Sequence, residues 1–342
     1  MRKRTPQFQA TIQDVARAAG VSTTTVSRVI NHKDDVSSET AAKVQQVVAE
    51  MNYTPSLAAK GMRSRTTNVI GLVLPEVSNP FELAVIKGVG AAIRGSGYDL
   101  LIYAADDPPL SRRASWEQEH VALLSNALTD GNIVVTPTAP TFPENARIVV
   151  VDPQGEGANV PSVIATNREG ALDVMDYLIG LGHRRIGFIG GRSDMLSAMR
   201  RFEGYKDGLK AAGISYDPEL VQEGDYTRER GQAAAVLLLD RPDRPTAIFA
   251  VNDLSALGVM DVAQSLGIRI PQDLSVVGFD DIPEAAQATP RLTTVDQSIQ
   301  QMGSLATQLL IRWLEGEKPE CTLFKIQTRL VVRESCQVVS DK

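Results

Sequence analysis

From Val69 onward the chain alternates short apolar runs with stretches of helical periodicity, and this alternation restricts the fold more than any other feature. The expected strands are VIGLVL (69–74), DLLIYAA (99–105), NIVVT (132–136), RIVVVD (147–152), SVIAT (162–166), RIGFIGG (185–191), AIFAVND (247–253), LSVVGFD (274–280), LTTV (292–295) and RLVVRES (329–335). Near-continuous Val, Ile and Leu leave no polar face, so such strands are covered on both sides; with helices between them they form parallel sheets. VIGLVLP and RIGFIGG open similarly, which predicts two α/β lobes rather than one large sheet. Two such lobes leave a cleft at the carboxyl ends of their strands, where a ligand is expected.

At 342 residues, 43% apolar and 22% charged, the chain has ample material for a core, which excludes disorder. Cys321 and Cys336 form no CxxC pair, a usage that excludes a disulfide framework and suits a reducing cytosol. His32, His120 and His183 are too scattered for a His-rich metal site. No apolar run reaches the roughly 18 residues of a membrane helix. The start, MRKRTPQFQATIQD, is basic but lacks the apolar segment of a secretion signal. A cytoplasmic protein without a membrane role is expected. FIGGRSD is not GxGxxG, and GxxxxGKS/T, GxSxG and HExxH do not occur, so neither an enzyme nor a cofactor is expected.

The net charge of −6 hides an asymmetry: residues 1–65 carry ten Lys/Arg against five Asp/Glu, while the remainder is acidic. A basic head on an acidic body suits a module that meets polyanions, joined to one that does not. Within the head, Thr11 caps a first helix, with Asp14 three residues on and Ile12, Val15, Ala16 and Ala19 on one face. Gly20 permits a sharp turn, and Ser22 or Thr23 starts a second helix whose Val26, Val29 and Ile30 face inward. Ser37 caps a third, with Val44, Val47, Val48 and Met51 at core spacing. Thr23, Thr24, Thr25, Ser27, Arg28 and Asn31 stay outside or near the second helix's start. Short hydroxyls there approach base edges and phosphates closely, and an arginine reaches a guanine edge or a phosphate oxygen. The same residues also fit a small three-helix bundle with hydroxyl caps and a solvated arginine.

The stretch from Thr11 to Arg63 resembles the DNA-binding head of the lactose-repressor (LacI/GalR) family of bacterial regulators, through DVA, AGVS, TVSRVIN, the V-S-x-x-T start of the third helix and NYxP. The resemblance implies that Thr23 and Thr24 occupy the two positions that discriminate operators. It places Thr25, Ser27, Arg28 and Asn31 at groove and phosphate contacts, and Thr11, Ser37 and Thr40 at phosphate-positioning sites. Pro55–Arg65 is similar to the family's hinge helix, with Ala58, Ala59 and Met62 as its small apolar face. The resemblance implies that Ala59 and Met62 enter the minor groove, Met62 standing where the wedging leucine is usual. Ser56 and Lys60 also depart from the family's asparagine and arginine.

The body resembles the periplasmic-binding-protein-like effector domain of the same family, through NPF (79–81), LGHRRIGFIGG, RxxGY (201–205), VNDxxALG, SVVGFDD and LTTV. Carried over by position, Asp152, Arg201, Asn252 and Asp280 are effector contacts, with Phe81 and Tyr226 as aromatic walls. Carboxylates accept from ligand hydroxyls, a guanidinium donates in a fork and an amide does either. Each residue also has a structural reading: Asp280 as a helix cap, Asn252 closing a turn, Arg201 paired with Asp194, Phe81 and Tyr226 as core. Glu82 stands where the family usually has a second aromatic, and if it lines the pocket it favours a hydroxyl-rich or cationic ligand.

The expected architecture is an all-α helix-turn-helix head over residues 1–54, a hinge and linker over 55–67, and a two-lobed α/β core with parallel sheets over 68–342. The first lobe is set at about 68–161 and 292–325, the second at about 162–291 and 326–340. No leucine heptad follows RLVVRESC, so a homodimer is expected on a pseudo-palindromic operator of double-stranded DNA. The expected function is a transcriptional regulator, a repressor, answering to a small-molecule effector that is a carbohydrate or derivative. The alternative is a sugar-binding sensor without sequence-specific DNA binding.

Overall fold

The computed structural model describes residues 10–30, 35–53, 66–104, 110–155 and 159–339. The chain divides into two compact units, Met1–Thr67 and Asn68–Lys342.

The first unit holds α1 (Ile12–Ala19), α2 (Thr23–Ile30) and α3 (Ser38–Glu50). Thr11 and Asp14 form a reciprocal cap: the Asp14 amide donates to Thr11 Oγ1 at 3.3 Å and the Thr11 amide to Asp14 Oδ2 at 3.0 Å. Gly20, at φ 68°, supplies the left-handed turn that ends α1. Ser22 caps α2, accepting from the Thr25 amide at 3.0 Å, and Ser37 caps α3. Val15, Ala16, Ala19, Val26, Val29 and Val44 form the buried centre, ringed by Ile12, Ile30, Val47, Val48 and Met51. The expected hinge segment, with Ala58, Ala59 and Met62, lies outside the described residues, as does Asn31.

The second unit contains β1 (Val69–Leu74), α4 (Pro80–Ile93), β2 (Asp99–Ala104), α5 (Leu110–Ala127), β3 (Gly131–Val135), β4 (Ile148–Val151) and β5 (Ser162–Ala165). It continues with α6 (Asn167–Gly180), β6 (Ile186–Ile189), α7 (Leu196–Ala211), β7 (Val221–Gln222), α8 (Arg228–Leu239), β8 (Ala247–Ala250), α9 (Asp253–Ser265) and β9 (Ser275–Val277). Last come α10 (Pro283–Gln287), β10 (Thr294–Asp296), α11 (Ile299–Leu314), β11 (Leu323–Ile326) and β12 (Arg329–Val331). Two parallel sheets result, one in the order β11-β5-β4-β3-β1-β2 and the other β7-β6-β8-β9.

β1, β3, β4 and β8 are buried along their whole length, as their unbroken apolar sequences require. In the first sheet, α4 and α11 cover one face through Val85, Val89, Met302, Ala306 and Leu310, while α5 covers the other through Val121 and Leu124. In the second, α8 and α9 pack on one face and α6 and α7 on the other. Among the described residues, no helix is long and apolar enough to cross a membrane.

The topology moves two of the expected lobe limits. Ser162–Ala165 was assigned to the second lobe, yet β5 lies between β4 and β11 in the first sheet. The chain crosses only after that strand ends, at Thr166. There the Thr328 amide, on a second crossing segment, donates to Thr166 Oγ1 at 2.9 Å. Residues 292–296 were assigned to the first lobe, but β10 pairs antiparallel with β12 and bridges to the end of the second sheet at Val277–Thr293 and Asp280–Asp296. Apolar alternation identifies a strand without saying which sheet accepts it. β7 and β11 were not expected; β7 has two residues, and β11 is an edge strand in whose LFKI exposed residues alternate with covered ones.

α4 and α11 approach so closely that a Cβ at Gly88 would lie 2.0 Å from the Gln300 carbonyl oxygen. Backbone cannot yield as a side chain does, so the helices must separate. Gly88→Ala should destabilise the core by about 3 kcal/mol, read as a lowered denaturation midpoint; an unchanged midpoint would show that this helix pair is not rigid.

Candidate functional site

In the first unit, the outward chemistry of α2 is Thr23, half-buried, then Thr24 and Arg28, both exposed. Thr25 is engaged locally, its hydroxyl 2.9 Å from Ser22 Oγ. Ser27 is half-buried. Arg28 Nη1 lies 3.1 Å from Asp35 Oδ2, with both side chains more than half exposed. A pair so solvated is worth about 0–1 kcal/mol and yields readily to a phosphate. Of the three positions matched to phosphate contacts, Thr11 and Ser37 are helix caps here, and Thr40 stands in the first turn of α3. The Thr11 hydroxyl donates to Asp14 Oδ2 at 2.6 Å and that of Ser37 to Thr40 Oγ1 at 2.9 Å. The hydroxyl protons of Thr11 and Ser37 are spent on helix starts, while the exposed Thr24 makes no such local bond among the described contacts.

The second unit contains a cavity of about 330 Å³ between its lobes, and all seven residues matched to effector contacts line it: Phe81, Glu82, Asp152, Arg201, Tyr226, Asn252 and Asp280. The topology explains the convergence. Asp152 follows β4, Asn252 follows β8 and Asp280 follows β9, each at a strand's carboxyl end. From the first lobe, Asn79 caps α4 by accepting from the Phe81 amide at 2.9 Å, and Pro80 fixes the first helical position. Phe81 and Glu82 then face the cavity from the helix's first turn.

Arg201, reaching in from α7, is the hub. Its Nε donates to Asn167 Oδ1 at 2.8 Å and Nη1 to the Val251 carbonyl at 2.6 Å, while longer contacts run to Asp280 Oδ1 (3.4 Å) and Gln297 Oε1 (3.5 Å). The guanidinium carbon sits 3.8 Å from the centre of the Phe279 ring. The expected alternative, pairing with Asp194, does not occur; Asp194 binds Arg192 at 2.8 Å. Asn252 takes both its readings, capping α9 by accepting from the Ser255 amide at 3.0 Å, donating to the Tyr226 carbonyl at 3.0 Å, and lining the cavity.

Burial dominates the electrostatics. It raises the Asp280 carboxyl above the ordinary range; Arg201 opposes the shift, and at 3.4 Å that contact is too long to win. Asp152 is raised by burial too, against the pull of Arg201 and the Ser197 hydroxyl. Glu82, 5% exposed, is pushed to about 8 by burial, reinforced by Glu76, Asp280 and Asp152. Tyr226 rises to about 12 for want of water. Behind the site, fully buried Asp253 accepts from Thr294 Oγ1 and, at 2.9 Å, from the Ile282 amide, fixing the loop that carries Asp280 to the crossing strand β10.

Backbone strain collects at the same place. Thr136 (φ 46°), Asp152 (φ 50°), Tyr226 (φ 75°) and Asp280 (φ 119°) all adopt positive φ and all line the cavity. Side chains other than glycine occupy that region at a cost of about 1–3 kcal/mol each, held there by the surrounding structure. Gly191 in FIGGRSD serves close packing: a Cβ would stand 2.6 Å from the Tyr226 ring.

Ser197, Gln297, Thr136, Gln154 and Arg192 also line the cavity and were not anticipated. Gln297 donates to Asp280 Oδ1 at 2.6 Å, and its position just after the crossing strand was the only sequence signal available. The others carried none. Among the described residues, no group of His, Cys, Asp and Glu has the arrangement of a metal site.

Comparison with known proteins matches both units. A model described as bacterial regulatory proteins, lacI family, matches residues 11–56, and one described as a periplasmic binding protein-like domain matches residues 175–336. The chain is 33% identical over 338 residues to the HTH-type transcriptional repressor PurR of Vibrio atlanticus (strain LGP32), covering 97% of this chain and 100% of that protein. A solved complex of the transcriptional regulator CelR with cellobiose matches with TM-score 0.69 and 33% identity, over 96% of this chain and 100% of that one. The fold also matches the Lac repressor dimer bound to operator and the anti-inducer ONPF, with TM-score 0.81 and 24% identity, over 96% and 99% of the two chains.

Proposed function

The chain belongs to the LacI family of bacterial regulatory proteins, and on that premise we propose that it is a transcriptional repressor. It binds a pseudo-palindromic operator as a homodimer and answers to a small hydroxyl-rich effector, a sugar or sugar derivative. The observation that carries this reading is the convergence of seven side chains from both lobes on one cavity, in a chain that also displays a capped helix-turn-helix. CelR, one third identical, holds cellobiose in its solved complex. One head reads only a half-site, so two-fold symmetry suits a palindromic operator. The cavity's groups act by binding rather than turnover, and the cytoplasm is where such an operator is met.

Thr23 and Thr24 would read major-groove edges, with Arg28 on a phosphate or guanine; Asn31, Ala59 and Met62 keep the roles that the sequence resemblance implies, Met62 as the minor-groove wedge. The effector would touch Asp152, Arg201, Asn252 and Asp280 through hydroxyls, with Phe81 and Tyr226 against its apolar faces. It can change DNA affinity only by binding one lobe arrangement better than another.

The test is fluorescence anisotropy on fragments of the gene's own upstream region, with and without carbohydrates and nucleobases first screened by thermal shift. The expected result is sequence-dependent binding at least 100-fold above a scrambled fragment, shifted at least ten-fold by a compound that also raises the melting temperature. Equal affinity for every fragment sinks the proposal. Thr24→Ala should relax discrimination at one base pair per half-site by about 1–2 kcal/mol and leave nonspecific binding unchanged. Arg28→Ala should weaken both and flatten the salt dependence by about one phosphate per head. A Thr24→Ala loss spread evenly over all sequences would place Thr24 away from the bases.

A further inference from the structure

The crossing segments at Thr166, Gln297 and Thr328 join the lobes in any arrangement of the cleft. Contacts made outside them exist only in some arrangements, and through such contacts an occupied cavity can select one. A seam of this kind runs beside the cavity, between the loop after β4 and the loop before α7. The Leu196 amide, at the first position of α7, donates to the Gln154 carbonyl at 3.2 Å. Arg192 Nη2 donates to Gln154 Oε1 at 3.4 Å, and the Ser197 hydroxyl bonds Asp152 across the same seam.

The seam completes a helix start. The first amides of a helix have no partner within it. Asn79, Thr227 and Asn252 supply a side-chain acceptor ahead of α4, α8 and α9, whereas the Met195 side chain ahead of α7 makes no cap. The acceptor for Leu196 comes instead from the opposite lobe. Gln154 is itself fixed there: 7% exposed, it donates from its amide to the Pro137 carbonyl at 3.0 Å and from Nε2 to the Thr136 carbonyl at 3.2 Å. The turn it holds carries Ser197, and Arg201 stands one turn further along the same face; both line the cavity.

We propose that Gln154 is a positioning residue for the effector response: it caps α7 from across the cleft, so that closing the lobes and presenting Ser197 and Arg201 to the effector are one event. This rests on the reading of the cavity as the effector site, and goes beyond it by assigning the tie between occupancy and lobe arrangement to a residue that acts through α7. When the lobes part, the Gln154 carbonyl leaves with the first lobe and the Leu196 amide loses its acceptor. An effector that bridges the lobes holds the seam shut, and its release must break it.

The experiment compares the full-length wild type with Gln154→Ala. Without ligand, amide hydrogen exchange over residues 195–199 should be at least five-fold faster in the variant, and over 204–211, further along α7, within about two-fold. The ligand probes are D-glucose, D-ribose, cellobiose and adenine. A probe that raises the wild-type melting temperature should leave the variant at least ten-fold faster, with association within about three-fold, and its effect on operator affinity should shrink from at least ten-fold to within about three-fold. Exchange unchanged over 195–199 overturns the proposal, because the seam then does not hold the helix start. Exchange faster throughout α7 overturns it as well, because the residue then only supports the fold. A loosened helix start with ligand release and operator response unmoved is the third result against it. Should Gln154→Ala fail to fold, Arg192→Gln, which breaks the side-chain contact alone, carries the same expectations at about three-fold. A wild type that none of the four probes stabilises counts against the effector reading; the exchange comparison then decides the cap by itself, an accelerated helix start sustaining it and an unchanged one overturning it.

Discussion

Arg201→Met should abolish the effector response, with at least a 100-fold loss of ligand affinity, and lower the melting temperature of the core by roughly 6 °C or more. The side chain is 3% exposed and ties together Asn167 from the start of α6, the Val251 carbonyl after β8, Asp280 after β9 and Gln297 after the crossing strand. Methionine fills much of the volume but donates nothing. The Asn167 and Val251 oxygens are then buried without partners, each at about 1–3 kcal/mol, and stacking on Phe279 is lost. Asp280 loses the guanidinium 3.4 Å away but need not stay charged, because burial already holds its carboxyl above the ordinary range. That escape limits the total to about 3 kcal/mol, and at about 2 °C or more per kcal/mol the melting shift follows. Calorimetric melting and ligand titration check it. A variant that melts with the wild type would mean that these oxygens find water, and one that still responds to effector would remove Arg201 from the ligand's contacts.

Glu82→Gln should stabilise the unliganded protein at pH 8 by about 4 kcal/mol and leave it nearly unchanged below pH 5. The native carboxyl keeps its proton to about 8, whereas in the unfolded chain it ionises near 4.5. Between these values the native state holds the extra proton. The contribution of Glu82 is therefore complete below 4.5 and drains away as pH rises through 8. Glutamine has the same shape and no ionisation to resist. Melting curves of both proteins from pH 4.5 to 8.5 should diverge steadily on the alkaline side. Parallel curves would show that water reaches the carboxylate and that its burial does not hold in solution.

The architecture was legible because its signals are local. Thr11, Asp14, Gly20, Ser22 and Ser37 specify helix ends through their own backbone neighbours, and unbroken runs such as VIGLVL and RIVVV admit only strands covered on both faces. Membership of a lobe was not local. SVIAT reads as a strand whichever sheet accepts it, and only its register against Val150, Val151 and β11 assigns it to the first. The lining of the cavity was legible where a residue falls at a strand's carboxyl end in a family motif, as Asp152, Asn252 and Asp280 do. Ser197 and Gln154 reach the cavity through the folding of loops, and no spacing announces them.

The amino-acid order by itself determined the three helices of the head, most strands of the core, that two parallel sheets form, and which functional groups are available, because caps, turns and apolar periodicity act over a few residues. Tertiary structure decided where the chain crosses between lobes, and that Arg201 binds Asp280 rather than Asp194. It also decided that the carboxyl of Glu82 loses its water. Those outcomes depend on distances between groups far apart in the chain and on the solvent excluded when they meet, and neither quantity exists until the sheets have packed.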